Sequence, residues 1–114
     1  MELKANELRI GNYLNYQGKI IKVEGIHNRT IYHSDRQFDQ VGVEKYITFE
    51  PIPLTEEWLL RFGYTEKDLS QGKIIKGRNG GYIITTLSNK EIFYVHKLQN
   101  LYYELKDNEL KLIK

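Results

Sequence analysis

The residues best placed to do chemistry in this chain are the cations of one short stretch. Between Leu69 and Lys90 no acidic residue occurs, while Lys73, Lys76, Arg78 and Lys90 are all present. That stretch is locally +4 in a chain whose formal net charge is +2. Arg and Lys on a glycine-rich hairpin, Gly77-Arg78-Asn79-Gly80-Gly81, suit phosphate oxygens or an acidic protein surface. The same residues also suit a solubilising fringe on an edge strand, a common guard against aggregation. Nine tyrosines are many for 114 residues. Tyr offers a flat face and a hydroxyl at low entropic cost, which fits stacking on bases or filling protein pockets. The candidate ligand-binding set is therefore Lys73, Lys76, Arg78, Asn79, Tyr82, Tyr103 and Arg29.

Other chemistries find little footing. With no cysteine there is no disulfide framework, thiolate zinc site or cysteine nucleophile. Among the three histidines, His27 and His33 flank the turn Asn28-Arg29. A two-residue turn pairs His27 with Thr30 and His33 with Glu24, which sends the two rings to opposite faces and argues against a shared metal. All three then read as surface or partly packed. Glu56 and Glu57 fit the first turn of a helix better than an acid–base pair. No Walker loop, dinucleotide fingerprint or nucleophile elbow occurs. The expectation is no catalytic residue, no metal and no cofactor.

The elements that must position the cations follow from pattern. Hydrophobic content of 40% and aromatic content of 12% in 114 residues predict one folded domain, 1–114, with a core of its own. Strands are expected at Asn12–Tyr16, Lys19–His27 and Thr30–His33, with turns at Gln17-Gly18 and Asn28-Arg29. Phe38–Phe49 reads as one further strand, with Val41, Val43, Ile47 and Phe49 in phase and Gly42 at a bulge. Ile26 and Ile31 oppose each other as an exposed apolar pair. A helix is expected at about 55–62, capped by Thr55 and stopped by Gly63, then a turn at Thr65–Leu69. Strands Lys73–Lys76, Tyr82–Leu87 and Glu91–Val95 follow. A second helix at about 96–105 carries Leu98, Leu101, Tyr102 and Leu105 as its apolar stripe, with Tyr103 turned away. Leu110–Ile113 closes as a short strand. The class is α+β, a small antiparallel, barrel-like or rolled sheet with two helices.

Three motifs, Glu7-Leu8-Arg9-Ile10-Gly11-Asn12, Pro51-Ile52-Pro53-Leu54-Thr55-Glu56-Glu57-Trp58-Leu59 and Val95-His96-Lys97-Leu98-Gln99-Asn100-Leu101-Tyr102, resemble a group of small uncharacterised proteins of Bacteroidota phages and prophages. The motifs look structural, and no site residue transfers from them. The resemblance implies a phage protein working against host immunity by stoichiometric binding in the cytoplasm of an infected bacterium. One expectation is an oligomeric sponge that sequesters a nucleotide-derived immune signal, with sites between copies of a homo-oligomer. A second is an inhibitor of a bacterial defence effector, such as a CRISPR nuclease or its guide RNA. A third is a single-strand nucleic-acid binding module, which the small net charge weakens. The N-terminal residues show no signal-peptide pattern and no stretch is apolar enough to span a membrane, so no membrane partner is expected.

Overall fold

The computed structural model describes residues 7–16, 18–27, 30–33, 44–45 and 49–113. The chain divides into two compact units, Met1–Ile52 and Pro53–Lys114. The class is α+β, as expected: antiparallel sheets with helices.

The first unit begins with a turn made by the motif around Gly11. Asn12 is buried, and its Oδ1 accepts from the Arg9 N–H at 2.7 Å. Gly11 takes φ +101, a region that L side chains rarely adopt, and its N–H reaches the Val23 carbonyl. The strands are β1 (Tyr13–Tyr16), β2 (Lys19–His27), β3 (Thr30–His33), β4 (Glu44–Lys45) and β5 (Phe49–Glu50), in the sheet order β4-β3-β2-β1-β5. Leu14, Tyr16, Ile21, Val23, Ile31 and Phe49 build the core, and Ile26 packs against it.

Two expectations are corrected here. Phe38–Phe49 does not run as one strand, because its described parts pair with different neighbours. Lys45 of β4 lies opposite Thr30 of β3, whereas Phe49 of β5 lies opposite Tyr16 of β1. The four steps from Lys45 to Phe49 reach at most about 14 Å. A flat five-stranded sheet would hold its edges about 19 Å apart. The sheet therefore has to roll. Gln17, Val41, Gly42, Val43, Ile47 and the turn pair Asn28 and Arg29 lie outside the described residues.

The second correction concerns register. His27 opposes Thr30 and Ile26 opposes Ile31, as the turn predicts, but Val23, not Glu24, opposes His33. The ladder shifts between Val23 and Gly25, leaving Glu24 as the extra residue of a β-bulge. One extra residue inverts the facing of everything beyond it. His33 therefore joins the Val23 face and is 1% exposed, with its ring 4.9 Å from Tyr16 and 5.7 Å from Phe49. Ile31 is likewise fully buried, so Ile26 and Ile31 are core contacts and not an exposed pair.

The second unit opens with α1 (Glu56–Arg61). Thr55 Oγ1 accepts the Trp58 N–H, and Glu56 and Glu57 lie in the first turn, where the helix dipole favours negative charge. Leu54 and Leu59, both buried, hold the positions of a hydrophobic staple. Gly63 at φ +101 ends the helix: its N–H bonds the Leu60 carbonyl, and the Tyr64 N–H bonds that of Leu59. That is a Schellman motif. The expected turn at Thr65–Leu69 is a second helix, α2 (Glu66–Ser70), with a reciprocal capping box between Thr65 and Asp68. Gly72 ends it in the same manner, with Gly72 N–H on Leu69 and Lys73 N–H on Asp68.

A hairpin of β6 (Ile74–Lys76) and β7 (Tyr82–Ile84) follows, and then α3 (Val95–Lys106). Three expected strands are shorter or absent, each for a local reason. Beyond Ile84 the chain folds onto the Ile84 carbonyl, which accepts from Leu87 and Ser88, so β7 stops before Leu87. Glu91–Val95 makes only isolated bridges, Ile92 to Tyr82 and Tyr94 to Pro53, and Pro53 has no N–H to extend a ladder. Leu110–Ile113 forms no strand; Ile113 N–H bonds the Arg61 carbonyl of α1 instead. On α3 the buried face runs through Val95, His96, Leu98 and Gln99, while Leu105 in the last turn is 51% exposed. His96, expected near the surface, is fully buried beside the ring of Tyr94.

Tyr64, just past α1, has its pKa raised from 10.0 to about 12, mainly by burial and then by Tyr102 and Asp68. The folded chain therefore holds this proton more tightly than the unfolded chain. The stability linked to it is complete below pH 10.0 and is lost as pH climbs toward about 12. Tyr64→Phe is expected to flatten the alkaline limb of a stability–pH curve over that interval. An unchanged limb in denaturant titrations would contradict this.

Candidate functional site

The cations of the hairpin are placed by its register. Ile75 lies opposite Ile83 and Lys76 opposite Tyr82, and Tyr82 bridges Ile92. Side chains alternate along each strand. One face of the ribbon therefore holds Ile74, Lys76, Tyr82, Ile84 and Ile92, and all but Lys76 are buried. The other holds Lys73, Ile75, Ile83, Glu91 and Phe93, and none of these is buried. Ile75 is 46% exposed and Phe93 40%.

The loop between β6 and β7 is organised by a carboxylate. Gly77 N–H bonds the Gly81 carbonyl at 2.8 Å, and Gly80 takes φ +92. Glu91 Oε2 accepts the backbone N–H groups of Asn79 at 3.0 Å and Gly81 at 2.6 Å. The glycines at 77 and 81 make room for it. A Cβ at Gly77 would overlap Glu91 Cγ and Cδ, and one at Gly81 would come within 2.7 Å of the Ile92 carbonyl oxygen. Of the loop's N–H donors, those of Asn79 and Gly81 are thus engaged by the chain's own anion, and those of Gly77 and Gly80 by loop carbonyls. What remains for a ligand at the tip is side-chain charge. Lys76 and Arg78 are exposed, and no ion pair engages either among the described residues.

The candidate residues separate into groups. Arg78 and Asn79 lie together at the exposed tip, with Lys76 at the end of the adjoining strand. Lys73 lies on the opposite face of the ribbon from Lys76, beside Thr85, whose N–H and hydroxyl both bond the Lys73 carbonyl. Tyr82 is only 6% exposed and offers no ring face to a ligand. Tyr103 is exposed on α3, outside the ribbon. Arg29 lies outside the described residues. Two residues of this face escaped the sequence reading, Glu91 and Phe93. Alternation within Glu91–Val95 held the signal, since it places both on the face opposite Ile92 and Tyr94.

Among the described residues no three His, Asp or Glu side chains gather in a way that could hold a metal ion. None of the described helices is long and apolar enough to cross a membrane. The chain matches no protein-family model, no curated protein and no solved structure.

Proposed function

We propose that this chain acts by stoichiometric binding, and that the tip of the β6–β7 hairpin takes the anionic part of a nucleotide-derived ligand. In a phage setting that is a counter-defence role, an oligomeric sponge for an immune signal in the cytoplasm of the infected host. The observation that carries the reading is the exposed pair Lys76 and Arg78 beside a loop braced by Glu91. A loop already braced by Glu91 loses little backbone freedom when its cations close on phosphate. A site built from two copies would supply the enclosure that one exposed tip lacks.

Calorimetric titration with cyclic oligonucleotides and ADP-ribose derivatives tests this. Arg78→Glu is expected to weaken binding of the recognised compound by about 10-fold or more, because a charge-assisted contact becomes a repulsion. Equal affinity of the two proteins would remove Arg78 from the site. A second reading, an inhibitor of a defence effector, draws on Ile75, Ile83 and Phe93. Ile75 and Phe93 are exposed and Ile83 is half-buried, and these apolar side chains on one face, bordered by charge, have the composition of a protein–protein contact. It predicts capture of a host protein and no small ligand.

A further inference from the structure

We infer that Phe93 is the residue that recognises the ring of the ligand, so that the site takes an anion joined to an aromatic heterocycle and not an anion alone. This rests on the ligand reading above. Phe93 has three properties that a stacking residue needs. It is partly exposed, at 40%. Its backbone is held on both sides: the Phe93 carbonyl accepts the Leu54 N–H at 2.8 Å, and neighbouring Ile92 exchanges both its N–H and carbonyl with Tyr82. It also lies against the loop that carries Arg78. A Cβ built on Gly81 would come within 2.9 Å of Phe93 Cδ1, so the ring edge rests where a side chain is missing.

Glu91 fixes the geometry between the two halves of the site. It lies two residues from Phe93 on the same face, and its carboxylate grips the loop at Asn79 and Gly81. The ring and the Arg78 tip are therefore tied to one another through Glu91. The carboxylate also gives the site a direction. An anion placed near Glu91 is repelled, whereas one at the tip meets Arg78. A nucleotide is thus expected to stack its base on Phe93 and send its phosphate toward the tip.

The test compares AMP, cyclic di-AMP and ribose 5-phosphate by saturation-transfer NMR and titration on wild-type protein, Phe93→Ala, Phe93→Leu and Arg78→Glu. Stacking a base on an aromatic side chain is expected to make the nucleotides bind about 5- to 100-fold tighter than ribose 5-phosphate. Phe93→Leu keeps apolar bulk on the strand and guards against loss of fold. Both Phe93 variants should lose that preference and keep the weak sugar-phosphate binding, while Arg78→Glu should lose all three. Nucleotide binding that survives Phe93→Leu and Phe93→Ala unchanged overturns the role of Phe93 and leaves the hairpin reading standing. Absence of binding by any probe to wild-type protein overturns both.

Discussion

His33→Ala is expected to destabilise the first unit by about 3 kcal/mol. His33 is 1% exposed and packs against both Tyr16 and Phe49, whose own rings stack at 4.8 Å. Removing the imidazole leaves a void among three strands: β3 carries His33, β1 carries Tyr16 and β5 carries Phe49. Those strands are also the ones whose pairing rolls the sheet, so the loss should be felt across the unit. Domain stabilities of about 5–15 kcal/mol make this a large fraction of the total. Hydrogen exchange resolved by residue provides the check, because it reports β1, β2 and β3 separately from the second unit. Protection in those strands should fall by roughly two orders of magnitude. A loss below about 1 kcal/mol would mean that the ring is not packed as described.

The second large effect is a coupling. Gly77→Ala places a methyl where Glu91 Cγ and Cδ lie. Either the loop shifts or Glu91 leaves it, and overpacking of this kind costs about 1–3 kcal/mol. The three heavy atoms nearest to a Cβ at Gly77 all belong to the Glu91 side chain. In a Glu91→Ala background the same Gly77→Ala change should therefore cost almost nothing, and the double-mutant cycle should show a coupling of about 1–3 kcal/mol. Gly81→Ala is the control. Its Cβ would also meet the Ile92 carbonyl oxygen at 2.7 Å, so removing Glu91 should relieve its penalty only in part. Equal penalties for Gly77→Ala with and without Glu91 would refute the bracing role of that carboxylate.

Much of the fold is legible where local chemistry decides it. Thr55, Glu56, Glu57 and Gly63 delimit α1, because caps act over three or four residues, and β2 and β3 have the bounds that their sequence pattern predicts. What was not legible depends on partners distant in sequence. The bulge at Glu24 has no residue signature of its own, yet it decides that His33 is core. The separation of Glu44–Lys45 from Phe49–Glu50 depends on which sheet edge each finds. The apolar stripe of α3 gave its helix but not its buried face, since His96 and Gln99 are enclosed together with Val95 and Leu98.

The candidate site divides along the same line. The run without acids identified the basic hairpin, and glycine at 80 signalled its positive φ. The acid-free run ends at Lys90, one residue before Glu91, whose carboxylate folds back onto the loop. Tyr82 drew notice as a tyrosine, but its register opposite Lys76 points it inward, and Phe93 presents the exposed ring instead.

The most direct test of the binding account is native mass spectrometry of the wild-type protein beside Arg78→Glu, each alone and with the panel of cyclic oligonucleotides and ADP-ribose derivatives. Wild-type protein should be an oligomer that gains one compound in a fixed ratio per copy, and Arg78→Glu should keep the same assembly and gain none. A wild-type protein that acquires no ligand mass from the panel, or an Arg78→Glu protein that acquires the same mass in the same ratio, would contradict it.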